Sequence, residues 1–233
     1  VRLGVGDDGA LIDIGDGRDL VLTTDTLVSG THFLSTDDPF SIGYKSVAVN
    51  LSDLAAMGAI PKYVLLSLTL PVSDEIWIEQ FSNGIKALLR SHSVALVGGD
   101  TTRGDTLSVT LTAIGFVKSD TALRRDHACL DDDVWVSGLI GLGSIGLLIK
   151  QGVLAFPVEE EQDFLRRLHE PQPRIELGQK LIGIANSAID VSDGLVADAG
   201  HIANQSGVKI IIDYEEIPVH EAIKNRRFNQ DIE

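Results

Sequence analysis

One cysteine, one methionine and two tryptophans are all that 233 residues hold of those types. A single thiol, Cys129, excludes a disulfide within the chain and suits a reducing compartment. Its plain reading is a small buried hydrophobe. No run approaches the ~20 apolar residues of a membrane-spanning helix, and no basic-plus-apolar leader opens the chain, so a cytoplasmic protein without a membrane partner is expected. Positive charge is scarce too: 19 Lys and Arg face 34 Asp and Glu, for a net charge of −15. Nucleic-acid binding normally shows as a basic patch or stripe, and that class is set aside. A phosphorylated small molecule is not excluded, because divalent cations supply local positive charge. The chain also lacks G-x-x-x-x-G-K-[ST] and the protein-kinase loop sequences, and its histidines show no zinc spacing. Phosphoryl transfer here would use a different scaffold.

What the chain does have is aspartate set repeatedly among residues with almost no side chain. Five stretches do this: Gly4–Ala10, Thr23–Thr26, Asn50–Gly58, Gly98–Gly104 and Asp190–Gly194. Glycine lets backbone approach a ligand closely, and carboxylate with hydroxyl is the ligand set of hard cations. Converging carboxylates repel by about 4 kcal/mol per pair at 4 Å and an effective dielectric near 20, so a cluster of them calls for a cation. These stretches point to a magnesium–phosphate site.

The coarse pattern predicts strands at Leu11–Ile14 and Asp19–Thr24, joined through Gly15-Asp16-Gly17. A helix follows over 39–57, ended by Gly58, then a strand at Tyr63–Leu70. Ser73 is the expected N-cap of a helix running to Ser91. A short strand, Val94–Val97, should stop at Gly98, and Leu107–Val117 is another strand. The charged stretch from Lys118 to Asp133 suggests a boundary between a domain of 1–120 and one of 121–233. In the second, strands are expected at Val134–Ser137 and Val208–Asp213, with helices over 144–151, 159–169, 174–185 and 195–206. Strands and helices mix without strict alternation, which predicts α+β in two segments. Opening on Val1 and stopping at Glu233, the sequence is expected to be a piece of a longer protein.

Each motif also has a bland reading. Gly141-x-Gly143-x-x-Gly146 matches a dinucleotide fingerprint, but the acid that should end a second strand about 20 residues on is missing, so a closely packed turn is preferred. The glycines of Gly98–Gly104 are expected in a turn whose free N–H groups face phosphate, with Asp100 as a metal ligand; a plain aspartate-capped turn is the alternative. Asp193 either caps the next helix or shares a metal with Asp190. His32 reaches a substrate phosphate or is merely structural. Arg124 and Arg125 grip an ATP phosphate or sit on a surface loop.

In this order the segments resemble thiamine-monophosphate kinases, members of the superfamily that includes aminoimidazole-ribonucleotide synthetase. The resemblance covers essentially the whole chain, and Asn50–Gly58 and Gly98–Gly104 are its most specific parts. It implies MgATP-dependent phosphorylation of thiamine phosphate to thiamine diphosphate. By that likeness Asp8, Thr23, Thr24, Asp25, Asp53, Asp100, Asp190 and Asp193 hold several Mg²⁺ ions. Gly99, Asp100, Arg125 and Ser192 contact ATP, and His32 contacts thiamine phosphate. No covalent nucleophile is implied. The implied fold is a two-domain α+β architecture whose N-terminal domain, 1–120, binds MgATP and contributes four strands to a dimeric eight-stranded barrel. The family's leading helical segment and a later Gly-Gly-Glu-Asp-Tyr-Glu-Leu segment do not occur here, so this chain is expected to bind nucleotide and metal but to be a poor kinase. Another ATP-dependent enzyme of the superfamily, and a MgATP-binding protein without turnover, are the competing readings.

Overall fold

A computed structural model describes residues 1–224. Segments of alternating apolar and polar residues build one five-stranded sheet: β1 (Ala10–Asp13), β2 (Arg18–Val28), β3 (Ile60–Leu70), β4 (Ala95–Arg103) and β5 (Ser108–Lys118), in the order β1-β2-β5-β3-β4. Neighbours are antiparallel except β3 and β4, which run parallel. Gly15 and Gly17 turn β1 into β2 at φ 78° and 81°, as the sequence predicted.

One face of the sheet is covered by helices α1 (Pro39–Ala56) and α2 (Glu75–Ser91). Val21, Val64, Val109 and Leu111 of the strands bury against Val47, Leu51, Leu54 and Phe81 of the helices. The two helices meet backbone to backbone: a Cβ on Gly84 would lie 1.9 Å from the Phe40 carbonyl oxygen, and one on Gly43 2.2 Å from that of Phe81. Asp38 caps α1 by accepting from the Ser41 amide at 3.1 Å. Asp74 caps α2, accepting from Ile76 and Trp77 at 2.9 and 3.2 Å. The cap is thus Asp74 rather than Ser73, because an anionic acceptor suits the positive helix end better than a hydroxyl.

The rest of the chain adds a 3₁₀ turn at Arg125–His127 and helices α3 (Leu142–Lys150), α4 (Val158–His169), α5 (Ile175–Leu181), α6 (Leu195–Ser206) and α7 (Glu221–Lys224). α5 seats directly on α1, with Gly178 so close that a Cβ would come within 1.9 Å of the Ala55 carbonyl oxygen. Gly146 plays the same part between α3 and α4, the packing role expected for that glycine-rich turn.

Several expectations fail. Val134–Ser137 and Val208–Asp213 are not strands: among the described residues, the ladder contact in this region is a lone bridge between Ile140 and Val219. Alternation makes a strand only where a partner takes up its backbone groups, and Trp135 and Ile211 stand exposed. The helix expected over 174–185 ends at Leu181, before Gly183 turns at φ 76°. Cys129 is exposed rather than buried, because it sits in a turn where Asp132 accepts from its amide. No helix among the described residues is long and apolar enough to cross a membrane.

Candidate metal and phosphate site

Strand periodicity decides which β2 side chains face the helices. Thr23 and Asp25 share the face of buried Val21 and Leu27, whereas Thr24 and Thr26 lie on the opposite face against Thr112 and Thr110. On α1, the Asn50-Leu51-Ser52-Asp53 turn meets that inner face. Thr23 Oγ1 donates to Asp53 Oδ2 at 2.6 Å, and the Asp25 amide donates to Asn50 Oδ1 at 3.1 Å. Asn50 is itself fixed by donating to the Ser46 carbonyl oxygen at 3.0 Å. From across the chain, Asp190 accepts from Ser52 Oγ at 2.7 Å.

The result is a cluster of three carboxylates, Asp8, Asp53 and Asp190, whose ligand oxygens lie within 4.8 Å of one another. It draws on both sides of the boundary expected near residue 120. Burial is the main cause that pushes Asp8 up to about 7, against the pull of the Arg125 guanidinium. Burial likewise pushes Asp53 up to about 8, against its Thr23 hydrogen bond and aided by the charge of Asp190. Asp190, Asp25 and Asp7 are raised for the same first reason. Asp8 Oδ2 is buried without a hydrogen-bond partner. A dry, mutually repelling set of hard oxygen donors with an orphaned ligand atom fits a divalent cation such as Mg²⁺.

Arg125 adjoins the cluster and is tied to several segments, although its buried Nε has no hydrogen-bond partner. Its guanidinium pairs with Asp8, its amide donates to Asp7 Oδ2 at 3.0 Å, and its carbonyl oxygen accepts from Ser206 at 2.7 Å and Ser187 at 3.2 Å. Arg124 instead turns to Asp126 at 2.6 Å. His32 is exposed, and its Nδ1 accepts from the Val28 amide at 3.0 Å, so the neutral ring carries its proton on Nε2 as an outward donor. Lys45 Nζ donates to the His32 carbonyl oxygen at 3.0 Å. In its charged form His32 would lower the pKa of Asp25, though burial prevails.

Other expected residues lie apart. Thr24 Oγ1 donates to the Leu111 carbonyl oxygen at 3.0 Å on the far face, so its hydroxyl does not reach the carboxylates. Gly98–Arg103 is not a turn after a strand. It is the body of β4, paired with Leu65–Leu70 of β3. Gly99, at φ 152°, permits that pairing, since a Cβ there would lie 1.7 Å from the Leu66 carbonyl oxygen. Register lines up Asp25, Leu111, Leu66 and Gly99 across four strands, which puts Asp100 roughly 14 Å from Asp25 at the usual strand spacing. There Leu66, Leu96, Gly98, Gly99, Asp100 and Thr101 line a shallow cavity of about 310 Å³ on the sheet edge.

Ser192 and Asp193 are exposed on the loop that leads from Asp190 into α6. Asp193 does not cap α6, whose N-cap is Gly194 without a side-chain cap bond. Instead Asp198 reaches back to the loop amides. Sequence reasoning missed Asp7, Asn50, Ser52 and Asp198. The first three lie inside stretches already picked out by glycine and aspartate, whereas Asp198 showed only as an acid in the first turn of α6.

Residues 6–117 match the family model for the AIR synthase related protein N-terminal domain, and residues 131–232 match that for its C-terminal domain. The chain is 47% identical to the thiamine-monophosphate kinase of Haemophilus influenzae, over 97% of this chain and 69% of that protein. It is 38% identical to that of Bacillus subtilis, over 94% and 70%. The solved thiamine-monophosphate kinase of Stenotrophomonas maltophilia superposes with a TM-score of 0.86 at 48% identity, covering 95% of this chain and 72% of that one. AaThiL complexed with AMPPCP and TMP superposes at 0.89 with 35% identity, covering 94% and 71%. This is the two-domain α+β fold that the sequence implied. The chain belongs to the thiamine-monophosphate kinase family.

Proposed function

We propose that this site transfers the γ-phosphoryl group of ATP to the phosphate of thiamine phosphate, giving thiamine diphosphate and ADP. The observation that carries this reading is the convergence of Asp8, Asp53 and Asp190 beside the clamped Arg125. Asp8, Asp53 and Asp190 would hold Mg²⁺, with Thr23 and Asp25 at their edge and Asp193 on the adjoining loop; the ion would neutralise phosphate charge. Arg125 and the Ser192 hydroxyl would bind the ATP phosphates, and the His32 Nε2 proton would orient the acceptor. An acceptor phosphate oxygen is already anionic at neutral pH, so no protein nucleophile is needed. It forms the new P–O bond as the bond to ADP breaks, and the protein contributes positioning and charge compensation.

A homodimer is part of the proposal. The sheet face away from α1 and α2 carries Ile60, Tyr63 and Leu65 of β3, all substantially exposed. β4 is exposed along its whole length. Closure against a second copy would cover this face and remove the strand edges, and would set Gly99 and Asp100 at the shared boundary. On this reading residues 1–120 form the dimerising, MgATP-binding part. Residues 121–233 add Arg125, Asp190, Ser192 and Asp193, and the protein works in the cytoplasm.

A coupled ADP-release assay tests the function, with thiamine phosphate set against formylglycinamidine ribonucleotide and selenide. Release that depends on thiamine phosphate supports the reading. Release with another acceptor, or MgATP binding by the full-length protein without turnover on any of them, overturns it.

A further inference from the structure

Asp198 lies one turn inside α6 and is only 3% exposed. Its Oδ2 accepts from the amides of Ser192, Asp193 and Gly194 at 3.0, 3.2 and 3.1 Å. Three consecutive N–H groups around one anionic oxygen make the kind of concave nest that elsewhere cradles a phosphate oxygen. In this chain the nest is filled from within. The carboxylate also stands in for the missing cap of α6, beside the positive end of that helix.

The filling decides what the loop can offer. With the Ser192, Asp193 and Gly194 amides taken, the loop presents a ligand chiefly with carbonyl oxygens and side chains: the Ser192 hydroxyl and the carboxylates of Asp190 and Asp193. Asp190 is steadied from the other side by Ser52 of α1. We infer that Asp198 is a positioning residue, an internal anion that holds the 190–194 loop so that Asp190 meets Asp8 and Asp53 while the Ser192 hydroxyl is left for a nucleotide phosphate. The inference rests on the metal site proposed above.

Binding of Mn²⁺ alone, read by the electron paramagnetic resonance of the free ion, tests it on the wild-type chain, Asp198→Asn and Asp198→Ala. Asp198→Asn keeps shape and one acceptor oxygen but loses the charge. The expected result is Mn²⁺ binding at least tenfold weaker in Asp198→Asn and weaker again in Asp198→Ala, at temperatures where circular dichroism shows both folded. In turnover, kcat should fall at least tenfold while KM for thiamine phosphate stays within twofold. If Asp198→Ala does not fold, Asp198→Asn decides alone. A lowered Tm with wild-type Mn²⁺ affinity would mean a helix cap only and would overturn the inference while sparing the metal site. If the wild-type chain itself binds no Mn²⁺, the metal-site reading falls and takes the inference with it.

Discussion

Asp53→Asn should make the metal-free protein more stable while removing its function. The folded state raises this carboxyl from 3.8 to about 8, chiefly by burial. At pH 7 the unfolded chain therefore holds the group ionised and the folded chain holds it mostly protonated. Taking up that proton costs about 1.36 kcal/mol per pH unit between 3.8 and 7, or about 4 kcal/mol for an isolated group. Asp8 and Asp190 share the proton load, which reduces the figure to about 2 kcal/mol. Asparagine avoids this cost, keeps the volume and still accepts from Thr23. The sign follows from the raised pKa: Asp53 contributes its stability in full below about pH 4 and loses it as pH rises through about 8. The advantage of Asp53→Asn should thus be small at pH 5 and largest at pH 8, with Tm higher by about 4–8 °C for a chain of this size. Urea unfolding of both proteins in EDTA at the two pH values measures it. Added Mg²⁺ should then stabilise the wild-type chain but not the variant, and the variant should not turn over. A variant less stable than wild type at pH 8, or a gap that does not widen with pH, would refute the reasoning.

Mg²⁺ binding should release on the order of one proton at pH 7 from the coupled carboxyls of Asp8, at about 7, and Asp53, at about 8. Release should vanish near pH 9, as calorimetry in buffers of different ionisation enthalpy will show; a pH-independent affinity between 6 and 9 contradicts it. Gly178→Ala should wedge α5 from α1 and cost about 1–3 kcal/mol in urea unfolding, whereas an unchanged midpoint would mean the helices separate freely. Leu65→Asp, on the uncovered sheet face, should convert a dimer to monomer in sedimentation at micromolar concentration. Dimer persisting in that variant, or monomer alone in the wild type, removes the barrel-closure proposal.

The carboxylate cluster was legible because each member sits in a glycine- or alanine-rich setting that ordinary surface aspartates do not need. Strand alternation alone puts Thr23 and Thr24 on opposite faces, a distinction passed over when the family likeness set both on the metal. Gly98–Arg103 misled because a glycine pair reads locally as a turn, and only pairing with β3, some thirty residues earlier in the chain, makes it a strand. The reverse error occurred at Val134–Ser137 and Val208–Asp213, where local alternation had no ladder to join. The role of Asp198 was invisible for a related reason. Its contacts lie four to six residues back, across a helix start, and a first-turn acid marks the start of a helix without saying which loop amides it takes.

α1 touches nearly everything that matters here. Gly43 meets α2, Ala55 meets α5, and Ser52 and Asp53 face the cluster between them. From Gly43 to Asp53 is about 15 Å of unbroken helix at the usual rise, stiff enough to behave as an axle with its bearings at the glycine contacts. Backbone-to-backbone bearings leave little play, so any hinge that serves substrate entry must turn elsewhere in the chain. A substitution that rotates this axle by even a few degrees would re-aim Asp53 with the core still filled. Such a protein would still fold and yet lose its grip on the metal.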